Sequence, residues 1–176
     1  MIELWVFVSC GAALNPLRDV AVDVIKAVER MHVYHLGVSV VLRNWDWREE
    51  PPALVGAGEF AGLSLSMVER SHAVVAILGD GVPRVTGKEI RRAIERFADG
   101  RTDRVWIFVD EDLKSDAHTR FVSRIKREYG IQVLYQTYSG ALDFQRKLFV
   151  ALTPYVVKKA IVDRRTPIVP LAGGVA

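Results

Sequence analysis

Apolar residues along this chain form short continuous runs that alternate with longer segments of helical periodicity. Runs rich in β-branched and aromatic residues predict five strands. They cover residues 2–8, 38–42, 72–78, 103–109 and 131–135. The run at 72–78 is continuously apolar after its first residue, as expected for a strand that is buried on both faces at the centre of a sheet.

Segments between the strands repeat their apolar residues at spacings of three and four, which predicts amphipathic helices. The first helix begins at Asn15–Pro16, with Asn15 as N-cap, and the others cover residues 59–70, 88–97, 116–129 (capped by Asp116) and 139–159. The predicted core-facing residues are Leu17, Val20, Ala21, Val24, Ile25, Val28, Phe60, Leu63, Met67, Ile90, Ala93, Ile94, Phe97, Phe121, Val122, Ile125, Leu148, Leu152 and Val156. This alternation predicts an α/β fold with a flavodoxin-like, five-stranded parallel sheet and helices on both faces.

Two segments fall outside the alternation. Residues 43–58 form a polar and aromatic loop that is long for a simple connection, and such loops are usually functional or mobile. Residues 163–176 contain two prolines, paired glycines and no apolar period, so they form either a disordered end or a linker. We therefore expect one domain over residues 1–162 and a flexible tail or linker over residues 163–176.

The composition is that of an ordinary globular domain, with 50% apolar and 26% charged residues. The net charge is only +3, and basic residues are interleaved with acidic ones, which indicates solvated helix faces and no nucleic-acid partner. The single cysteine suits a reducing compartment, and no apolar run reaches the roughly 20 residues of a membrane span. The N-terminus lacks the basic start of a signal peptide, so we expect a cytoplasmic protein without membrane contact.

Polar and small residues follow the predicted strands, where the carboxyl ends of a parallel sheet meet and ligands commonly bind. Glu89 falls near the start of the helix that follows the central strand, where the helix dipole favours a carboxylate. The alternative is that Glu89 is only a helix-start residue. The other candidates at this edge are Ser9, Cys10, Asn44, Trp45, Asp46, Trp47, Gly79, Asp80, Gly81 and Asp110.

Several candidates have simpler explanations. Cys10 lies where a nucleophile could sit, but no motif pairs it with a histidine, so a small buried thiol is the simpler interpretation. The G-D-G element at 79–81 is too short to identify a phosphate-binding loop. His32 and His35 form an H-x-x-H pair without a third ligand, so no metal site is expected.

Two stretches of the sequence resemble bacterial TIR-like domains. FVSCGAALNPLRDVAVDVIKAVE resembles their opening, an F-V/I-S strand end followed by a helix of the type L-x-x-x-R-x-x-V. MVERSHAVVAILGDGVPRVTGKEIRRAIERF resembles the family's acidic helix end, Ser, apolar strand, loop and helix-opening Glu. The likeness spans residues 2–109, and residues 43–58 occupy the place of the family's long loop after the second strand.

The sequence also departs from that family. TIR proteins usually carry Trp-Cys or a similar pair shortly before the Glu, whereas this chain has R-V-T-G at 84–87. A weaker likeness is to nucleoside deoxyribosyltransferases, whose Gly-Thr-x-x-Glu element is echoed by T-G-K-E at 86–89.

Both families cleave N-glycosidic bonds with a carboxylate beside the sugar. Breaking that bond leaves positive charge on the ribose, which a fixed carboxylate stabilises. Nicotinamide leaves NAD as a neutral base, so a single carboxylate suffices. The resemblance therefore implies Glu89 as the catalytic residue, NAD as substrate, and no bound cofactor or metal.

The resemblance also implies how the substrate is surrounded. Ser9 would line the ribose side, Trp45 or Trp47 would stack on a flat ring, and Asp46 would bind a ribose hydroxyl. The alternatives are that the two tryptophans pin the loop to the core and that Asp46 is a turn residue. The full set of predicted substrate contacts is Ser9, Cys10, Trp45, Asp46, Trp47, Gly79 and Asp80.

Three functions remain open. The first is a TIR-type NAD glycohydrolase or cyclase of bacterial signalling or antiviral defence, active on assembly, which requires Glu89 beside a cleft. The second is a non-catalytic TIR-like module that self-associates or docks to a partner protein, with Glu89 paired to Arg or Lys and no pocket. The third is a nucleoside-processing transferase or nucleotide-sensing domain, which requires a second carboxylate near Glu89.

Overall fold

A computed structural model describes residues 2–36, 40–45, 57–130 and 135–165, with side chains at all of these except 32–36, 40, 42–45, 57–61 and 162–165. The strands are β1 (Ile2–Cys10), β2 (Val40–Trp45), β3 (Ala73–Leu78), β4 (Arg104–Asp110) and β5 (Tyr135–Tyr138). The α-helices are α1 (Asn15–Leu36), α2 (Ala57–Arg70), α3 (Arg84–Ala98), α4 (Asp116–Tyr129) and α5 (Gly140–Arg165), and a 3₁₀ turn over Ala12–Leu14 precedes α1.

The described strands form one parallel sheet in the order β2-β1-β3-β4-β5. This confirms the parallel α/β class, and the order is that of flavodoxin-like folds. The chain leaves β1 towards β2 on one side and later returns on the other side as β3. The carboxyl ends of β1 and β3 therefore form the topological switch point, the place where open α/β sheets bind ligands.

Each face of the sheet has its own core because successive strand side chains point to opposite faces. Val6 and Val8 of β1 pack with α1 and α5, whereas Phe7 between them packs with α2 and α3. β3 is buried along its whole length, as predicted for the central strand, and its Ala76 and Leu78 pack against α3 and α4. Most predicted core positions are buried, but Leu63 and Phe97 are 38% and 37% exposed.

The predicted start of α3 is wrong, because the helix begins at Arg84 and not at Lys88. Pro83 has the extended backbone of a helix-capping residue, and the N–H of Gly87 donates to its carbonyl at 2.7 Å. Gly87 disfavours a helix by propensity, which is why the segment looked like a loop. Tertiary packing explains the glycine, because a Cβ there would lie 3.3 Å from Val82 and 3.6 Å from Phe121.

Smaller corrections concern helix caps. Asn15 already has helical dihedral angles and follows the 3₁₀ turn directly, so it does not cap α1. Ser115, with extended dihedrals, is the N-cap of α4, and Asp116 is the first helical residue. The end of α4 agrees with the prediction, since Gly130 adopts the left-handed conformation with φ 62°.

Two strand predictions were displaced. β2 continues to Trp45 because it pairs with β1 as far as Phe7, so residues 43–45 belong to the sheet and not to the long loop. β5 begins at Tyr135, where the predicted strand ended, and the rest of that prediction, residues 131–134, lies outside the described residues.

α5 extends six residues beyond Lys159, to Arg165, and includes the first residues of the predicted tail.

Polar groups at the amino ends of the strands are paired with one another. The backbone N–H of Trp5 donates to Nδ1 of His72 at 2.9 Å. Asp103 accepts hydrogen bonds from the Tyr155 hydroxyl at 2.9 Å and from Lys159 Nζ at 2.7 Å. Burial, followed by the charge of Asp103 and this hydrogen bond, raises the pKa of Tyr155, so its hydroxyl remains a donor. These contacts compensate the charge of Asp103 within the protein, although the buried Thr102 hydroxyl beside it has no hydrogen-bond partner among the described residues.

Candidate functional site

A cavity of about 350 Å³ opens at the switch point, between the carboxyl end of β1 and the amino-terminal turns of α3. The two other walls are the start of α1 and the last two turns of α2. Its lining residues are Phe7, Cys10, Gly11, Ala12, Asn15, Arg18, Leu63, Ser64, Met67, Pro83, Arg84, Val85, Thr86 and Glu89. Helical spacing explains why these side chains line the cavity together. Asn15 and Arg18 of α1, Ser64 and Met67 of α2, and Thr86 and Glu89 of α3 are each three residues apart, so each pair lies on one face of its helix.

Glu89 is in the second turn of α3, with a side chain only 5% exposed. The expectation that it lies in the first turn, stabilised by the helix dipole, is therefore wrong, because the helix begins five residues before it. Ser9 is fully buried and its hydroxyl donates to Glu89 Oε2 at 2.5 Å. Ser9 points to this face because it shares the pleat of Phe7, two residues earlier in β1.

Glu89 has no ion pair within the described part of the chain. Its one hydrogen bond there is from Ser9, so Oε1 has no protein partner among those residues. Two cations, Arg18 and Arg84, line the same cavity. Arg84 is exposed, whereas Arg18 is 7% exposed and donates from Nε to Cys10 Sγ at 3.4 Å. The cavity thus presents a buried negative charge and a separate buried positive charge.

The amino terminus of α3 also lines the cavity, through Val85 and Thr86. The N-cap is Pro83, which provides no side-chain capping bond, so the first backbone N–H groups of the helix lack that acceptor. Such N–H groups and the positive end of the helix dipole favour an anion.

The loop between β3 and α3 is fixed by a buried histidine of α4. His118 is fully buried, and its Nδ1 accepts a hydrogen bond from the backbone N–H of Ser115 at 3.1 Å. The proton of the neutral ring is therefore on Nε2, which donates to the carbonyl of Gly81 at 3.0 Å. Gly81 has φ 75°, a conformation that favours glycine. These contacts fix the loop that leads into the cavity wall.

The structure brings some of the predicted site residues together. Cys10 and Glu89 line the cavity, and the hydroxyl of Ser9 donates a hydrogen bond to Glu89. Gly79 lies against the side chain of Leu14, where a Cβ would approach to 3.1 Å, and exposed Asp80 follows it; neither lines the cavity. Trp45 ends β2, but its side chain, together with the whole of Asp46 and Trp47, lies outside the described residues.

Sequence reasoning missed several cavity residues. Arg18 occupies a position three residues before Ala21 and seven before Ile25, so it interrupts the buried stripe of α1, and a cation at a core-facing position was the available signal. Thr86 was missed because it was assigned to a loop. Leu63 and Met67 were expected in the core. Met67 is buried there and also lines the cavity, whereas Leu63 is 38% exposed and lines the cavity.

Tyr138 is the last residue of β5 and lies at the same carboxyl edge of the sheet. Its hydroxyl donates to the carbonyl of Leu78 at 3.4 Å. Burial, followed by the negative charge of Asp110, raises the pKa of Tyr138 to about 12, so the phenol stays neutral at physiological pH.

Within the described part of the chain, no three His, Cys, Asp or Glu side chains are grouped as metal ligands would be. None of its helices combines the length and apolar character that a membrane crossing requires.

Comparison with known proteins adds little to this geometry. No protein-family model matches the chain, and no curated protein matches it. Among solved structures, the chain is similar to homoserine dehydrogenase from S. aureus, at 13% identity and a TM-score of 0.40. The alignment covers 77% of this chain and 32% of the dehydrogenase, so the chain spans about a third of that enzyme's length. A likeness this distant identifies no family, and the parallel α/β class rests on the sheet itself.

Proposed function

We propose that this chain is a TIR-like NAD-cleaving domain of bacterial signalling or defence, in which Glu89 stabilises the ribosyl cation that forms as nicotinamide leaves. The observation that supports this most is that Glu89 is nearly buried, lines a cavity, and has no ion pair within the described part of the chain. Burying an uncompensated carboxylate is unfavourable. An enzyme retains such a buried carboxylate when its charge stabilises a cationic transition state.

The Ser9 hydrogen bond supports the same role by orienting the carboxylate. Ser9 holds Oε2, which leaves Oε1 to approach the C1′ atom of a ribose in the cavity. The C1′–N bond breaks with its electron pair leaving on neutral nicotinamide, and water then adds to C1′ and releases a proton to solvent. A fixed charge in a site of low dielectric stabilises the cationic state without reorganising solvent.

The remaining walls fit the other parts of this substrate. Phe7 and Met67 offer apolar surface to a flat base, while Arg18 and the uncapped start of α3 offer positive charge to a phosphate. A volume of about 350 Å³ is near the lower end of small-molecule sites, which range over roughly 300–1,000 Å³. One nucleotide half of a dinucleotide suits that volume, and the other half would extend through the mouth.

The two competing functions are less well supported. A purely structural Glu89 would be expected to pair with a nearby Arg or Lys, and no such pair occurs in the described residues. A nucleoside transferase would be expected to place a second carboxylate beside the first. Glu89 is the one acidic residue among the described residues that line the cavity.

The decisive experiment incubates the purified protein with NAD over a range of protein concentrations, because we expect activity on self-association, and separates the products by chromatography. Glu89→Gln keeps the shape of the side chain and removes its charge. We expect NAD turnover to fall by about 1,000-fold, the order of loss seen when a main electrostatic stabiliser is removed.

Glu111→Gln is the matched control, since Glu111 is an exposed carboxylate at the same sheet edge and does not line the cavity. This variant should retain wild-type turnover. NAD binding, measured by calorimetry, should be retained in both variants. The proposal is wrong if Glu89→Gln consumes NAD as fast as wild type, or if the wild-type protein neither binds nor consumes NAD at any concentration.

A further inference from the structure

A second concave site lies on the other side of the first turns of α3, between α3 and α4. It is a groove of about 430 Å³, which we call the basic groove, and five of its lining residues are cationic. They are Arg84, Lys88, Arg91, Arg120 and Arg124. Arg84 also lines the Glu89 cavity, so the two sites share one wall.

Helical spacing concentrates these charges. Arg84, Lys88 and Arg91 follow one face of α3 at steps of four and three residues, and Arg120 and Arg124 follow the facing side of α4 at a step of four. No acidic residue lines the groove. Phe121 and the loop before α3 form its apolar floor.

The cations of the groove are almost uncompensated by protein. Within the described residues, Arg91 has one distant ion pair, at 3.8 Å to Glu128, and the other four have none. Arg92, the next residue of α3, contrasts with them, because it binds Glu69 and Glu95 at 2.6 Å each. Like charges at these helical spacings destabilise a helix. A chain with a net charge of only +3 thus gathers five cations where they repel one another.

We propose that the basic groove binds a small ligand carrying several linked phosphates, such as a nucleoside polyphosphate. Arginine and lysine are the side chains that bind phosphate most strongly, and arginine does so with two parallel hydrogen bonds. The amino-terminal turns of α3 and α4 both reach the groove, so their dipoles add to its positive potential.

The dimensions of the groove favour a small ligand over a nucleic-acid strand. Arg91 lies seven positions after Arg84 in α3, a rise of about 10 Å along the helix. That length covers only about three phosphates at the 3.4 Å spacing per strand of a duplex. Phe121 on the floor gives the base of a nucleotide an aromatic surface.

The test measures binding of sodium tripolyphosphate, orthophosphate, ATP and a ten-nucleotide single strand to the full chain by calorimetry. The triple variant Lys88→Gln/Arg120→Gln/Arg124→Gln removes exposed groove cations and spares Arg84, which belongs to both sites. The control variant Lys26→Gln/Arg101→Gln/Lys126→Gln removes three exposed cations outside the groove. Both variants change the formal net charge from +3 by three units, to zero.

We expect tripolyphosphate and ATP to bind at least tenfold more tightly than orthophosphate, and the groove variant to lose at least tenfold in affinity for both while the control variant does not. Circular dichroism and melting temperature report whether the variants are folded. Equal affinities of the groove and control variants would overturn the proposal, as would orthophosphate binding as tightly as tripolyphosphate. Groove-dependent binding of the single strand more tightly than ATP would also overturn it, in favour of a nucleic-acid surface. Because NAD turnover is not measured, failure here is independent of the proposed enzymatic function.

Discussion

Two partly or wholly buried carboxylates lie at opposite edges of this sheet, and their surroundings differ in kind. Asp103, at the amino edge, accepts hydrogen bonds from the Tyr155 hydroxyl and from Lys159 Nζ. Glu89, at the carboxyl edge, accepts a hydrogen bond from the Ser9 hydroxyl and makes no ion pair within the described residues. The first carboxylate is compensated by its own protein, and the second faces a cavity.

This contrast separates the structural and functional uses of the same chemical group. A carboxylate with a cationic partner and a buried hydroxyl donor contributes to folding, because each polar group satisfies another. A carboxylate that faces a cavity without a cationic partner contributes less to folding and is available to a ligand. The free energy of unfolding should therefore respond in opposite ways when each is neutralised.

The largest effect on stability is expected for Asp103→Ala. The variant leaves the Tyr155 hydroxyl, on a side chain only 6% exposed, without its acceptor. We expect urea unfolding at pH 7 to show a loss of about 2 kcal/mol. The double variant Asp103→Ala/Tyr155→Phe removes both partners and should lose less than the sum of the single losses. Strict additivity would mean that the two side chains are not coupled.

A smaller effect of the opposite sign is expected for Glu89→Gln. The amide can still accept the Ser9 hydrogen bond, and the uncompensated charge is gone. The free energy of unfolding should be unchanged or higher by about 1 kcal/mol, the pattern expected when function and stability compete. A loss comparable with that of Asp103→Ala would show that Glu89 is a structural residue, and the contrast between the two edges would be lost.

The smallest effect is expected for Asp143→Asn at the start of α5, a half-buried carboxylate whose cationic partner lies one turn away on the same helix. Lys147 Nζ donates to Asp143 at 2.7 Å, and the backbone N–H of Ser139 donates to the same carboxylate at 3.0 Å. These two contacts hold the pKa of Asp143 below its ordinary value. A lowered pKa contributes stability that is present above the unfolded-state value and is lost as pH falls through the folded-state value.

The melting temperature of the Asp143→Asn variant should therefore be slightly lower than that of wild type at pH 7, and the difference should disappear in acid, once Asp143 is protonated in both states. Melting curves from pH 7 to pH 2 measure it. A difference that persists at the acid end would mean that the carboxylate charge is not its source.

The sequence alone determined the class of the fold, since apolar runs and helical stripes depend on local spacing. The run at 72–78 predicted the buried central strand, which begins one residue later at Ala73, and Gly130 marked the end of α4. Local signals failed where distant contacts decide the conformation. The start of α3 was missed because Gly87 is explained by its packing under Val82 and Phe121, and the end of β2 because its pairing with β1 extends to Trp45.

The candidate sites show the same division. Glu89 could be singled out from its place after the central strand, because the carboxyl edge of a parallel sheet follows from strand order alone. Tertiary packing decides the rest of the site. Glu89 contacts Ser9, 80 residues away in sequence, and lines one cavity with Arg18 only because of how α1, α2 and α3 pack. The basic groove could not be predicted from the sequence, because its cations are interleaved with acidic residues along the chain. Only the packing of α3 against α4 brings the five cations together. Sequence spacing fixes which side chains share the face of one helix, and tertiary packing decides which faces meet.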